Sequence, residues 1–261
     1  MPRLGQHFLK NKSVVKKIAD ALELRDGDLV IEIGPGHGEL TAAIAAKADV
    51  KIIAIEKDAR LAQLLRDAFL KKSEMEIVEG DALKVLPDLT QEKIPTTKPW
   101  KLAGNIPYYI TGKLLRTVSE LDHKPERSVI MVQREVAVRI CATPPHMNRL
   151  AASVQFWADV KIVMHVPKED FSPVPDVDSA VIVLTAKTPQ ANIGSDRYYG
   201  AVHAVFSQPR KTILNNVAAG AKNGLPKQEI EGSIKKLGLD PGARPQNLTT
   251  KDIESIAEAF F

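Results

Sequence analysis

The chain has 261 residues, 44% apolar and 26% charged, enough to bury the core of one large domain or of one large and one small domain. It contains no run of about 18 apolar residues and no apolar signal core in MPRLGQHFLKNKSVVKK, and its one cysteine and scattered histidines offer neither a disulfide nor a zinc set. A cytoplasmic protein without metal or membrane span is expected. The net charge of +4 is unevenly placed: five basic and no acidic residues precede Asp20, and ten Lys and Arg face seven Asp and Glu from Ala186 onward. Basic ends around an acidic middle suit contact with a polyanion at the edges, or a solvated surface of mixed sign.

In chain order, β-branched apolar runs predict strands at Leu29 to Ile33, Lys51 to Ile55, Met75 to Val78, Lys101 to Ala103, Ser128 to Val132, Lys161 to Val166 and Ala180 to Leu184. Amphipathic spacing predicts helices at Glu39 to Ala46, Asp58 to Leu70, Ile110 to Leu121, Glu135 to Ile140 and Leu150 to Trp157. Such alternation gives an α/β protein with a mostly parallel sheet covered on both faces. The last two strands are joined by a Pro-rich loop without a helix, so one antiparallel strand is expected. After Lys187 the strand signals stop. TPQANIGSD at Thr188 to Asp196 reads as a linker, and four helices follow, at Arg197 to Phe206, Lys211 to Ala221, Lys227 to Leu237 and Thr250 to Phe260. Two domains result, 1–187 and a small helical one, 188–261.

The first strong strand runs into Glu32-Ile33-Gly34-Pro35-Gly36-His37-Gly38-Glu39. Gly34 and Gly36 let the backbone approach a ligand closely at a strand-to-helix turn, which suits a nucleotide-like molecule. The dinucleotide fingerprint needs a glycine where this chain has Glu39, and Glu32 adds a second carboxylate. An acidic rim disfavours a pyrophosphate and favours an ammonium or sulfonium, as in S-adenosylmethionine. Glu56, 20 residues beyond Gly36, is placed to accept ribose hydroxyls. Asp81, after the third strand, is placed to accept from an adenine amine or to cap the next helix.

The fourth strand ends in GNIPYYI, Gly104 to Ile110. A carboxamide oxygen such as that of Asn105, with a neighbouring backbone carbonyl, can accept the two N–H bonds of an exocyclic amine and free its lone pair for methyl transfer. Pro107 ends the strand and turns the chain. Tyr108 can stack on an extruded base, and Phe171, in the stiff loop FSPVP, is a candidate facing ring. Tyr109 is read as structural, and Arg134 and Arg139 as surface charges.

These strings, with QHFL (Gln6 to Leu9), GDAL (Gly80 to Leu83), MVQREVAVR (Met131 to Arg139), FSPVPDVDSAV (Phe171 to Val181), FSQPRKT (Phe206 to Thr212) and ARPQNLT (Ala243 to Thr249), resemble the KsgA (RsmA) family of ribosomal RNA adenine dimethyltransferases. The resemblance covers nearly the whole chain. It implies a Rossmann-like S-adenosylmethionine-dependent methyltransferase sheet with a helical C-terminal domain. The implied activity makes N6,N6-dimethyladenosine at two adjacent adenosines near the 3′ end of small-subunit rRNA, in a pre-ribosomal particle, with the enzyme a monomer. It further implies cofactor contacts from His7, Leu9, Gly34, Glu56, Asp81 and Asn105, a target adenine held by Asn105, Tyr108 and Phe171, and phosphate contacts from Arg210 and Lys211. The chain departs from the family at His7 and Tyr109, where Asn is frequent, and at Asn148-Arg149, where Tyr-Gly is common. Rivals are an Erm-like enzyme acting on large-subunit rRNA, a non-catalytic ribosome-assembly or RNA-binding factor, and an NAD-dependent oxidoreductase, the last disfavoured by Glu39.

Overall fold

A computed structural model describes residues 6–188, 194–221 and 224–261. The chain opens with a two-residue strand β1 (Phe8–Leu9) and helix α1 (Lys12–Ala21), whose first turn is capped by the Asn11 side chain. Alternating elements follow: β2 (Leu29–Ile33), α2 (Glu39–Ala45), β3 (Lys51–Glu56), α3 (Ala59–Ala68), β4 (Met75–Glu79), α4 (Ala82–Lys93) and β5 (Trp100–Asn105). A single 3₁₀ turn at Tyr108–Ile110 leads into α5 (Thr111–Glu120), then β6 (Arg127–Gln133), α6 (Arg134–Ile140) and α7 (Arg149–Gln155). Three strands close the region: β7 (Ala158–Val166), β8 (Phe171–Ser172) and β9 (Ser179–Ala186).

Seven strands form one sheet in the order β4-β3-β2-β5-β6-β9-β7. The pairs among β2 to β6 are parallel, and β9 runs antiparallel to β6. Every residue of β2 is buried, which is why it reads as a continuous apolar run interrupted only by Glu32. The order reverses between β2 and β5. The carboxyl ends of those two strands therefore diverge into loops on opposite sides and leave a crevice between them. At that point the backbones are close: Gly104 on β5 is in register with Ile33 on β2, and a methyl carbon on Gly104 would lie 2.7 Å from the Ile33 carbonyl oxygen.

All seven expected strands are present, and so is the antiparallel one. Helices α1 and α4 and the strands β1 and β8 are not among the elements expected from the sequence. Pro87 lies inside α4 and mimics a helix break, yet Asp81 caps the helix and Thr90 Oγ1 donates to the Pro87 carbonyl at 2.8 Å. Strands β1 and β8 pair antiparallel, Leu9 opposite Phe171, and so tie the N-terminal segment to the loop before β9.

The described residues divide into two compact units. One comprises the residues up to Val138 with Asp159–Ala186; the other comprises Arg139–Ala158 with Lys187–Phe261. The sequence places 139–158 with the first domain, whereas these residues pack with the helical one. Phe156 stacks on Tyr198 with ring centroids 3.8 Å apart, and the buried Tyr198 hydroxyl donates to the Ala152 carbonyl. The second unit contributes α8 (Ser195–Val205), α9 (Ile213–Gly220), α10 (Lys227–Lys236) and α11 (Thr250–Phe260), the last opened by a Thr249–Asp252 capping box. Of the linker expected at Thr188 to Asp196, residues 189–193 lie outside the described residues. Among the described residues no helix is long and apolar enough to cross a membrane.

The close approach of β5 to β2 makes Gly104→Ala a test of this packing. The added carbon meets backbone, which has little room to give, so the variant is expected to lose about 1–3 kcal/mol in urea unfolding. An unchanged midpoint would show that the strands are not held this tightly.

Candidate active site

The crevice at the strand reversal is a cleft lined by the N-terminal segment, the glycine turn after β2, the ends of β3 and β4, and the Asn105–Ile110 turn. Gly34, Gly36 and Gly38 all have positive φ, at 66°, 61° and 90°. The turn needs that backbone region, which side chains other than glycine resist. A methyl group on Gly36 would also press on the Phe8 ring at 3.1 Å, so this glycine makes room for the N-terminal segment as well.

Glu56, only 3% exposed, ends β3 and is held by backbone: the Gly36 N–H donates to Oε2 at 3.2 Å and the Asp58 N–H to Oε1 at 2.9 Å. Burial raises its pKa, and the backbone donors oppose that rise. Each of its oxygens keeps a lone pair for a ligand hydroxyl. Asp81 is the N-cap of α4, accepting from the Leu83 N–H at 3.1 Å, and it also pairs with Lys57 at 2.8 Å. That lysine contact is the main reason its pKa is lowered. The capping role open in the sequence is therefore real, and it leaves Asp81 at the cleft wall beside Lys57, which the sequence reading did not single out.

Glu32 is more unusual. It is 1% exposed, lines the cleft, and its Oε2 has no hydrogen-bond partner. The buried Thr41 hydroxyl lies near enough to soften the effect without forming a regular bond, and burial, with Glu39 and Glu56 adding repulsion, pushes the pKa up to about 7. Four carboxylates (Glu32, Glu39, Glu56, Asp81) face Lys57 alone among the described acidic residues and lysines or arginines of the lining, and that lysine is already paired. An orphaned buried carboxylate in an acidic cleft fits a ligand carrying positive charge and repels a pyrophosphate.

At the opposite wall, the Asn105 Nδ2 donates to the His7 carbonyl at 3.0 Å. Since a carbonyl only accepts, the donor end of the carboxamide is committed and Oδ1 is the end left for a ligand. Tyr108 is half-buried, its hydroxyl 2.8 Å from Ser179 Oγ, and its ring lies nearly parallel to that of His7. Leu9 is buried in β1 at the cleft edge. The cleft thus brings together His7, Leu9, Gly34, Gly36, Glu56, Asp81, Asn105 and Tyr108. Phe171 is not among its lining residues: it is 1% exposed and packed in the core with Leu9, Val14 and Val166, and so does not face the cleft as the sequence suggests. Tyr109, expected to be structural, is 62% exposed at the cleft. Arg210 and Lys211 are exposed in the turn between α8 and α9 of the second unit. No group of three or more His, Cys, Asp or Glu side chains that could hold a metal occurs among the described residues.

Residues 1–260 match the family described as ribosomal RNA adenine dimethylase. The chain is similar to the ribosomal RNA small subunit methyltransferase A of Pelotomaculum thermopropionicum, 38% identical over 268 residues that take in 99% of this chain and 90% of that one. It is also similar to the structure of a dimethyladenosine transferase from Plasmodium falciparum, with a TM-score of 0.81 at 27% identity over 96% of each chain. The structure of the 23S rRNA methyltransferase ErmE gives 0.75 at 26% identity, covering 97% of this chain and 99% of that one. The sheet is thus the Rossmann-like methyltransferase sheet.

Independently of these likenesses, the state of Glu32 is measurable in the free protein. Its folded pKa lies above its unfolded value of 4.5, so its contribution to stability is fully present below pH 4.5 and is lost as pH rises through about 7. Relative to Glu32→Gln, the wild type is expected to lose up to about 3 kcal/mol across that window. A stability difference that stays flat from pH 4 to pH 8 would mean that Glu32 is not held in this way.

Proposed function

The chain belongs to the ribosomal RNA adenine dimethylase family, and from that premise we propose that it dimethylates N6 of two adjacent adenosines near the 3′ end of small-subunit rRNA, using S-adenosylmethionine. The observation that carries this reading is the pinned carboxamide of Asn105 across the cleft from an acid-lined cofactor wall. The small-subunit assignment is supported by the likeness to proteins named small subunit methyltransferase A at more than a third identity over nearly the full chain. The substrate is taken to be rRNA in a pre-ribosomal particle.

When bound, S-adenosylmethionine supplies a methyl group on a sulfonium centre, open to attack by a neutral nitrogen. Glu56 would hold the ribose hydroxyls with the lone pairs its backbone donors leave free, and Asp81 would accept from the cofactor's adenine amine. Gly34, Gly36, Leu9 and His7 line the same cleft, and Glu32 balances the positive charge that an acidic cleft selects. An adenine N6 lone pair is delocalised into its ring, so the protein's task is geometric. Asn105 Oδ1 and a carbonyl of the following turn accept the two N–H bonds, which favours a tetrahedral nitrogen. Tyr108 supports the extruded base by stacking. Transfer leaves a proton on the nitrogen that passes to solvent, and no side chain needs to act as a strong base. On the second unit, the exposed Arg210 and Lys211 are available for rRNA phosphates.

With unmethylated small subunits as acceptor, Asn105→Ala is expected to lose roughly 100-fold or more in single-turnover methyl transfer while its cofactor Kd stays close to that of the wild type. Normal transfer by this variant would remove Asn105 from the chemistry. Glu56→Ala is expected to do the reverse, weakening the cofactor roughly 10-fold or more, and an unaltered Kd would exclude the ribose contact. Methyl incorporation into free large-subunit rRNA, and not into small subunits, would place the protein with the ErmE-like activity instead.

A further inference from the structure

We propose that the exposed face of α1 is a phosphate-docking surface, on which Lys10, Lys12, Lys16 and Lys17 hold the rRNA backbone beside the cleft; this rests on the functional reading above and gives a role to the basic N-terminal end, which the site itself does not use. All four lysines are exposed, and among the described residues none is in an ion pair. Several other lysines are paired: Lys47 with Asp20, Lys57 with Asp81, Lys93 with Glu76 and Lys235 with Glu231. The acids that adjoin α1 are committed elsewhere. Asp20 holds Lys47, Glu23 holds Arg127, and the Asp170 carboxylate accepts from the Asn11 side chain at 3.0 Å.

The charges also run against the helix that carries them. A helix favours acids in its first turn and bases in its last, yet α1 has neither: Lys12 is its first residue and Asp20 lies near its end. Lys12 and Lys16, four residues apart, repel each other on one face. Folding alone gives no reason for this arrangement, and a polyanion supplies one. The opposite face decides the partner. Val14, Val15, Ile18 and Ala19 are buried in the core, and Val15 and Ile18 line the cleft. A helix that lies on a membrane gives its apolar side to the lipid, which α1 cannot do, whereas phosphates need only the lysines. The surface adjoins the cleft as well: Leu9 lines it, and Lys10 is the next residue, its N–H donating to the Asp170 carbonyl at 2.8 Å. The lysines therefore begin at the rim over which a strand bound in the cleft would leave.

The full-length triple variant Lys12→Gln/Lys16→Gln/Lys17→Gln keeps good helix formers on α1. Its control is Lys51→Gln/Lys71→Gln/Lys72→Gln, which removes the same charge from exposed lysines near the amino ends of β3 and β4, away from the cleft. Binding of unmethylated small subunits is titrated at fixed magnesium from about 50 to about 200 mM KCl, with methyl transfer and cofactor Kd measured separately. The α1 variant is expected to bind subunits roughly 10-fold or more weakly and to lose about 2 from the slope of log Kd against log salt, while kcat at saturating subunits and cofactor Kd stay within about twofold of wild type. Its urea midpoint is expected to be no lower than that of the wild type, because like-charge repulsion is relieved. Undiminished subunit binding would overturn the proposal. So would an equal loss in the control, which assigns the effect to net charge, or a lowered midpoint, which makes the lysines structural. Vesicles containing phosphatidylserine that bind the wild type and not the α1 variant, with subunit affinity unchanged, would assign the face to a membrane instead. Wild-type protein that binds small subunits and leaves them unmethylated would defeat the functional reading, and the binding titration would still decide the docking surface.

Discussion

The hydrogen bond from the Asn105 carboxamide to the His7 carbonyl is the constraint on which the site depends. A carboxamide is nearly symmetric in shape but not in chemistry, and a free one would present either end to a ligand. Committing Nδ2 to a backbone carbonyl removes that choice and leaves an acceptor facing the cleft. The bond also explains why a two-residue strand is kept near the N-terminus. Without the pairing of β1 with β8, the His7 carbonyl would have no fixed position, and the amide no fixed orientation. Gly104, immediately before Asn105, lets β5 approach β2 closely enough to bring the carboxamide to the crevice.

The facing wall works by charge. Backbone N–H groups saturate part of Glu56, a helix start and a lysine engage Asp81, and the Glu32 Oε2 is left without a bonded partner. In the free protein this arrangement raises the Glu32 pKa to about 7, so that near neutrality the carboxyl group is divided between its protonated and ionised forms. A cationic ligand favours the ionised form by supplying the missing counter-charge, whereas a pyrophosphate meets four carboxylates against the one paired Lys57. The glycine turn alone does not distinguish these ligands, since close backbone approach serves either. Selection comes from the acids around it.

Much of this was legible in the sequence because its causes are local. Buried stretches such as β2 and the middle of β6 are largely apolar, and a turn with three positive-φ residues is glycine-rich, so both appear as strings. Glu32, Glu56, Asp81 and Asn105 follow from strand ends once the sheet is recognised. What escaped depends on distance or on rivalry between rules. The β1–β8 pair joins residues more than 160 positions apart over two residues each, too short for any periodic signal. The interior Pro87 hid α4, although the Asp81 cap marked its start. Phe171 looked available because it sits in a loop stiffened by two prolines, but Leu9 lies opposite it and draws the ring into the core. Residues 139–158 look like the last helices of the sheet domain by order, and only the packing of Phe156 and Ala152 on Tyr198 assigns them to the other unit. Tyr109 seemed structural beside Tyr108, yet the 3₁₀ turn sends the two rings into different surroundings.

The most direct test of the oriented carboxamide is Asn105→Asp, which keeps the shape and an acceptor toward the amine but sets a carboxylate oxygen against the His7 carbonyl. Single-turnover methylation of small subunits, at saturating cofactor and with cofactor Kd measured alongside, reads the result. If the fixed amide aims the acceptor, the rate falls roughly 100-fold although an acceptor remains. A rate equal to that of the wild type would mean that the hydrogen bond to His7 does not govern the chemistry.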